Sequence, residues 1–161
     1  MIFENISFFL WLDEIAVVSF GFMGGVYFAF SFFVMQSFNK ISPLDAIRSM
    51  NSINTVILQS PFILLFFFST FIAFLLFLEN LIFYKVLSYK GFAGLIFIFG
   101  MFLCTAIKNV PLNNKLADFN VDDPSSDPKI AWKEYYVNWI RWNHLRTFSC
   151  FLSIIFLFFE S

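Results

Sequence analysis

Charged residues are scarce in this chain: Asp, Glu, Lys and Arg make up 13% of its 161 residues, whereas hydrophobic residues make up 60%. Soluble domains carry charges at about a quarter of their positions, so this composition excludes an ordinary soluble domain. The net charge is −1, and without a basic surplus nucleic acid is not an expected partner. We therefore predict a single integral membrane domain over residues 1–161, with the lipid bilayer as its partner.

Cysteine and histidine are nearly missing, with two residues and one residue, respectively. Cys104 and Cys150 both lie in apolar runs, where a thiol normally serves as a small apolar side chain. One histidine supplies neither paired Glu-x-x-His motifs nor a facial triad, which argues against non-haem iron and copper. A haem with His144 as its one axial ligand stays open. We predict no metal and no cofactor.

Long apolar segments dominate what is present and predict an all-α fold. We expect an antiparallel four-helix transmembrane bundle with a polar loop between helices three and four, and spans at about 15–37, 56–78, 88–108 and 138–159. The N-terminus lacks the basic region of a signal peptide, so the first segment is expected to remain as an anchor. The last apolar run, Phe148–Phe159, is about 12 residues long, and crossing a bilayer therefore requires the polar residues before it.

Four spans place both termini on one side of the membrane, which we call side A, and the loops with more Lys and Arg on the other, side B. Side A offers Lys85 and Lys90, whereas side B offers Lys40, Arg48, Lys108, Lys115, Lys129 and Lys133. The positive-inside rule then predicts that side B faces the cytoplasm. The expected location is a bacterial inner membrane, crossed several times.

Polar residues from all four predicted spans converge at the side-B end. Asn54 precedes the second span, Asn109 and Asn113 end the third, and the fourth contains Arg141, Asn143, His144 and Arg146. Charged side chains within the bilayer are costly and normally face a bundle interior or a wet cavity. Two interpretations remain: a capped bundle end whose arginines reach the headgroups, or a pocket with a polar floor.

Gly21 and Gly25 form a small-xxx-small pair in the first span, which permits close approach of another helix. Packing within the chain is the plain interpretation of this pair. The alternative is a homo-oligomer or a larger assembly that forms through the Gly21/Gly25 face.

The order of these motifs resembles the anthrone oxygenase-like family of small membrane proteins. The resemblance covers about residues 20 to 150 and rests on Gly21–Gly25, Phe28–Ser31, Ile53–Pro61, Asn109–Asn113, Leu116–Ala117 and Trp139–Thr147. Fungal members of this family oxidise an anthrone to an anthraquinone with O₂, whereas most bacterial members are uncharacterised. The resemblance implies a cofactor-independent membrane oxygenase for a hydrophobic aromatic, anthrone- or quinol-like compound.

Oxidation of an anthrone-type compound begins with loss of a proton, so the reaction needs a base and donors for the developing oxyanion. His144 is the predicted base because imidazole titrates near neutrality. Arg146, or Arg141, is predicted to stabilise the anion, and Asn143 is predicted to orient the carbonyl of the substrate. The remaining residues predicted to bind or orient the substrate are Asn54, Asn109, Asn113, Trp139 and Phe28.

A non-catalytic membrane protein is the alternative function, either a binder of lipid or quinone or a structural subunit of a larger assembly. Gly21, Gly24 and Gly25 on the lipid face would favour this alternative. A closed aromatic pocket that ends on His144 would favour the enzyme.

Overall fold

The structure is a computed structural model that describes residues 11–84, 86–120, 123 and 126–159. Those residues form five helices and no strand: α1 (Leu12–Phe38), α2 (Pro43–Leu58), α3 (Pro61–Phe83), α4 (Tyr89–Ala117) and α5 (Pro128–Phe158). The described part is therefore all-α, as predicted. The polar connection between α4 and α5 is only partly visible, since residues 121, 122, 124 and 125 lie outside the described ranges.

Three of these helices, α1, α3 and α4, are long and apolar enough to cross a membrane. Their outer faces expose large apolar side chains, among them Phe22, Leu64, Phe71 and Phe99. Extended apolar surface of this kind is typical of contact with lipid. The helix α5 does not meet the same measure because its segment from Arg141 to Arg146 is largely polar. Its passage through the bilayer therefore stays a prediction.

The predicted second span, about 56–78, is divided differently in the structure. Residues 56–58 end α2, and α3 begins at Pro61 and continues to Phe83. Ser60 caps α3 by accepting a hydrogen bond from the backbone N–H of Phe62. Pro61 lies in the first turn, where its missing N–H costs nothing. The predicted span thus begins in the last turn of α2 and continues in α3.

The helix α4 extends beyond the predicted third span of about 88–108 and runs through Pro111 to Ala117. Two π-helical segments, Ile98–Leu103 and Thr105–Asn109, interrupt its regular α-helix. A proline inside a helix lacks an N–H and clashes with the preceding turn. The wider π-turn directly before Pro111 accommodates both effects. Asn109 and Asn113 are consequently held on a helix.

The helix α5 is continuous over 31 residues, which is about 46 Å at 1.5 Å per residue. The helix therefore includes the whole predicted fourth span of about 138–159 apart from its last residue and extends ten residues before it. Its buried side chains form a single stripe that includes Trp132, Tyr135, Trp139, Asn143 and Arg146. The helix packs against α1, α2 and α4, so that this stripe faces the interior of the bundle.

Gly24, rather than the predicted Gly21/Gly25 pair, makes the close contact between α1 and α5. A Cβ atom added at Gly24 would lie 3.1 Å from the Cβ of Cys150. At Gly21 the nearest side chain would be 4.0 Å away, and at Gly25 the added atom would meet nothing within 4 Å. Assembly through the Gly21/Gly25 face stays a prediction.

Charged side chains form a cluster at the side-A end, where the sequence predicted Lys90. Lys90 Nζ lies 2.7 Å from the carboxylate of Asp13 and 3.9 Å from that of Glu79. These residues belong to α4, α1 and α3, respectively, so the cluster joins three helix ends. The site-bearing polar residues lie at the opposite end of the bundle.

Candidate functional site

A cavity of about 420 Å³ lies between the apolar core of the spanning helices and a second apolar cluster at the side-B end. All five helices contribute to its lining, which is mostly apolar and includes Val26, Phe30, Met50, Ile57, Phe62, Phe66 and Phe102. Its polar lining residues are Tyr27, Asn54, Thr105, Asn113, Asn114, Trp139 and Arg146. An apolar cavity of this size with a few polar groups suits a small-molecule ligand.

The cavity opens sideways, towards the surface that would face lipid. Its exposed lining residues include Leu58 at the end of α2, Phe67 on α3 and Val110 on α4, with 64%, 57% and 42% of their surface accessible. The opening therefore lies between the α2–α3 break and α4.

Arg146 places a buried charge at the wall of this cavity, with only 5% of its surface exposed. Its guanidinium carbon lies 4.3 Å from the centre of the Tyr27 ring and 5.1 Å from that of Trp139. Both distances suit cation–π attraction. Its Nη2 donates to Asn143 Oδ1 at 2.6 Å, and its Nη1 donates to Thr105 Oγ1 at 3.3 Å.

The charge of Arg146 has no counter-charge in the described residues. No carboxylate there lies within 4 Å of the guanidinium, and Nε has no hydrogen-bond partner. A buried cation without an anion is expensive, and neutral partners and aromatic rings recover only part of that cost. The site is therefore electrostatically complementary to a ligand with an anionic or strongly accepting oxygen.

Asn143 holds Arg146 in place from the side away from the cavity. It is fully buried, and its Nδ2 donates to the backbone carbonyl of Tyr27 and to Ser31 Oγ, both at 2.7 Å. The helix α1 widens into a π-helical segment at Phe30–Val34, directly beyond this carbonyl. Asn143 does not line the cavity. Its geometry is that of a residue that positions the guanidinium.

Asn143→Leu is expected to lower the free energy of unfolding by about 2 kcal/mol, because two buried hydrogen bonds from α5 to α1 and the buried hydrogen bond from Arg146 are lost. Thermal unfolding in detergent micelles measures the loss. The matched control is Asn138→Leu on the same helix, because Asn138 is exposed and donates only to the carbonyl of Glu134. Equal stability of the two variants would contradict the role of Asn143.

The two asparagines of α4 lie beside α5 but have different surroundings. Asn113 lines the cavity, and its Oδ1 accepts hydrogen bonds from Tyr135 OH and Trp139 Nε1, both at 2.9 Å. Asn109 is buried behind the wall and donates to the backbone carbonyl of Trp139 at 3.3 Å. Asn54 lines the cavity from α2, and its Nδ2 has no hydrogen-bond partner among the described residues.

Five of the predicted site residues do not line the cavity: Asn109 and Asn143 are buried behind its wall, and His144, Phe28 and Arg141 are exposed. His144 is exposed, with its ring centre 5.6 Å from that of Phe32. Phe28 is 45% exposed and packs on the same Phe32. Arg141 is also exposed and lies over Trp142 instead.

The predicted common cavity of His144 and Arg146 is therefore corrected. The two residues are two positions apart on a continuous helix, and 3.6 residues per turn place them about 200° apart. Arg146 and Trp139 are brought together at the cavity with Asn113 and Asn54, and Asn143 supports them from behind. The catalytic and binding roles of these residues stay predictions.

Tyr27 and Thr105 contact Arg146 but belong to none of the sequence motifs considered above. The signal available for them is spacing. Tyr27 and Ser31 are four residues apart on α1, and Thr105, Asn109 and Asn113 recur every four residues on α4. Such spacing places polar groups on one face of a helix.

Comparison with known proteins finds one matching family. No curated protein and no solved structure matches the chain. The model of the anthrone oxygenase family does match, over residues 55–156, a range that includes Asn109, Asn113, Trp139 and Arg146 but neither Tyr27 nor Asn54. Because this match spans more than half of the chain, the protein belongs to the anthrone oxygenase family.

Proposed function

We propose that this protein is a membrane oxygenase that takes a hydrophobic aromatic compound from the bilayer and oxidises it with O₂. The family supports the reaction class, and the lateral apolar cavity supports a lipid-soluble substrate. The observation that carries the proposal is the buried Arg146, which borders this cavity and has no carboxylate within 4 Å among the residues that the structure describes. The whole chain would act as one integral membrane domain, with the C-terminal part of α5 as the fourth span.

The proposed reaction converts the methylene carbon between the two rings of an anthrone-type compound into a carbonyl. Loss of one proton yields an enolate whose charge is spread onto its oxygen, and this enolate reduces O₂. One oxygen atom of O₂ remains in the product and the other leaves as water. The protein contributes the positive charge of Arg146, which favours the enolate over its neutral form.

The proton is proposed to pass to water at the polar end of the cavity. The lining formed by the described residues includes no imidazole and no carboxylate that would act as a base. Asn113 and Asn114 line the cavity at that end, and the exposure of Asn114 supports access of water there. Arg146 then lowers the cost of ionisation without accepting the proton itself, since its guanidinium stays protonated.

Turnover of anthrone by the purified protein in lipid nanodiscs tests the proposed function. We expect O₂ uptake to match anthraquinone formation mole for mole, at a rate above that of empty nanodiscs. Oxidation no faster than in empty nanodiscs would contradict the proposal.

His144→Ala is expected to change the rate of this oxidation by less than about two-fold, because an exposed side chain away from the site has little effect. The variant distinguishes two expectations: the structure places His144 at an exposed position, whereas the sequence motif predicted it as the base. The measurement is the same anthrone assay across pH 6 to 9. A loss of activity in His144→Ala that the wild type does not show would contradict this expectation and support His144 as the base.

A second candidate is non-catalytic binding of a quinone or lipid in the same cavity. It is favoured by the lining itself, in which the described residues present an anion-binding charge but no base. This candidate predicts that anthraquinone quenches tryptophan fluorescence through Trp139 while anthrone is not consumed. The two functions therefore differ in the O₂ uptake of one preparation.

A further inference from the structure

Two cations meet at one indole ring on the outer surface between α4 and α5. Lys108 Nζ lies 4.9 Å from the centre of the Trp142 ring, and the guanidinium carbon of Arg141 lies 5.7 Å from it. Both basic side chains are exposed. Throughout the described ranges, no carboxylate lies within 4 Å of either of them. Like charges drawn to one ring repel each other unless an anion joins them.

Two helical turns further towards the side-B end, α4 and α5 carry one cation that is paired with one anion. Lys115 lies seven residues beyond Lys108 on α4, and Glu134 lies seven residues before Arg141 on α5. Lys115 Nζ and Glu134 Oε1 are 2.6 Å apart. Because α4 and α5 run in opposite directions, these steps of seven residues lead to the same level on both helices. The outer level carries the cation Lys115 and the anion Glu134. The inner level carries two cations, Lys108 and Arg141. The inner level lacks one negative charge.

The inner level has the depth and the neighbours of a headgroup position. Seven residues correspond to about 10 Å along a helix, measured inwards from the exposed Lys115–Glu134 pair. Further inwards on the same face of α5 follow Leu145 and Phe148, four and seven residues after Arg141, with 41% and 62% of their surface exposed. A ligand with an anionic head and an apolar tail matches this order of surfaces.

We propose that Lys108, Arg141 and Trp142 bind the phosphate of an anionic phospholipid. The phosphate supplies the missing negative charge between the two cations, and an acyl chain covers Leu145 and Phe148. Trp142 supports both cations through its ring and lies at the interface, where tryptophan is favoured. The site is separate from the cavity and does not depend on the proposed oxygenase function.

Titration of the detergent-purified protein with phosphatidylglycerol and phosphatidylcholine, followed by native mass spectrometry, tests the site. We expect tighter binding of phosphatidylglycerol, and a loss of about five-fold in its affinity for each of Lys108→Gln and Arg141→Gln. The control Lys115→Gln removes an exposed charge from the same helix and should change the affinity by less than about two-fold. Equal binding of the two lipids, or an equal loss in the control, would overturn the proposal.

Two further measurements complete the test. The first distinguishes a phospholipid from free phosphate as the bound anion, and the second distinguishes loss of the site from damage to the fold. Millimolar inorganic phosphate should not displace the lipid, and displacement would overturn the assignment to a phospholipid. Arg141→Glu places an anion opposite Lys108, which copies the arrangement of Lys115 and Glu134. This variant should lose the preference for phosphatidylglycerol and should be more heat-stable than the wild type in lipid-free detergent. A destabilised variant that keeps the lipid preference would contradict the inference.

Discussion

Arg146→Lys is expected to slow anthrone oxidation by about 100-fold, the effect of removing an oxyanion-binding donor in other enzymes. Lysine keeps the positive charge but lacks the planar fork of donors. A single ammonium nitrogen cannot occupy the positions of both Nη atoms, which contact Asn143 and Thr105, and also take the proposed role of facing a ligand oxygen. The measurement is the rate of anthraquinone formation at equal amounts of membrane-inserted protein.

The control for this variant is Arg48→Lys, which makes the same change at an exposed position on α2. It should retain the wild-type rate and the wild-type level of insertion. Full activity of Arg146→Lys would show that only a point charge is needed at the cavity. Failure of Arg146→Lys to insert would instead indicate that Arg146 mainly supports the packing of the bundle.

Thr105→Asp is expected to weaken binding of an anionic ligand on the order of 100-fold, since like charges in a buried site cost several kcal/mol. Thr105 Oγ1 already accepts a hydrogen bond from Arg146 at 3.3 Å, so a carboxylate at this position supplies the missing counter-charge from within the protein. The unfolding temperature should rise, because the buried cation becomes paired. Ligand titration and thermal unfolding measure the two effects on one preparation.

Thr105→Asn is the matched control, because its side chain has nearly the shape of Asp without the charge. It should keep ligand affinity within about three-fold of the wild type, as expected when a neutral hydrogen bond is replaced by another. Equal loss of binding in both variants would mean that shape, rather than charge, decides occupancy. Unimpaired binding in Thr105→Asp would contradict the importance of the unpaired charge of Arg146.

The buried charge has a structural setting that reconciles its cost with a stable fold. Arg146 is surrounded by two aromatic rings and two neutral hydrogen-bond acceptors. The second apolar cluster, which includes Met50 and Trp139, lies between Arg146 and the side-B end of the bundle. These partners keep the guanidinium at a fixed position without neutralising it. A preorganised donor of this kind needs no reorganisation when charge develops on a ligand.

Local chemistry along the chain was sufficient to predict the helices and the family. Apolar runs predicted α1 and α3 because such segments can satisfy their backbone groups only within a helix. The start of α2 also follows from local residue types, because Ser42 accepts a hydrogen bond from the backbone N–H of Asp45 and Pro43 lies in the first turn. The motif Trp139–Thr147 carried much of the resemblance, and the family match over residues 55–156 confirms it.

Pairing between helices decided what the sequence left open. The sequence determined that Arg141, His144 and Arg146 share one helix near side B, but the rotation of α5 within the bundle selected which of them is buried. That rotation follows from the contact of Gly24 with Cys150 and from the hydrogen bonds of Asn143 to α1. The cavity likewise arises only where five helices leave space between two apolar clusters. Such space depends on packing at long sequence separation, so periodicity and composition determined the elements of this protein, whereas tertiary contacts determined its site.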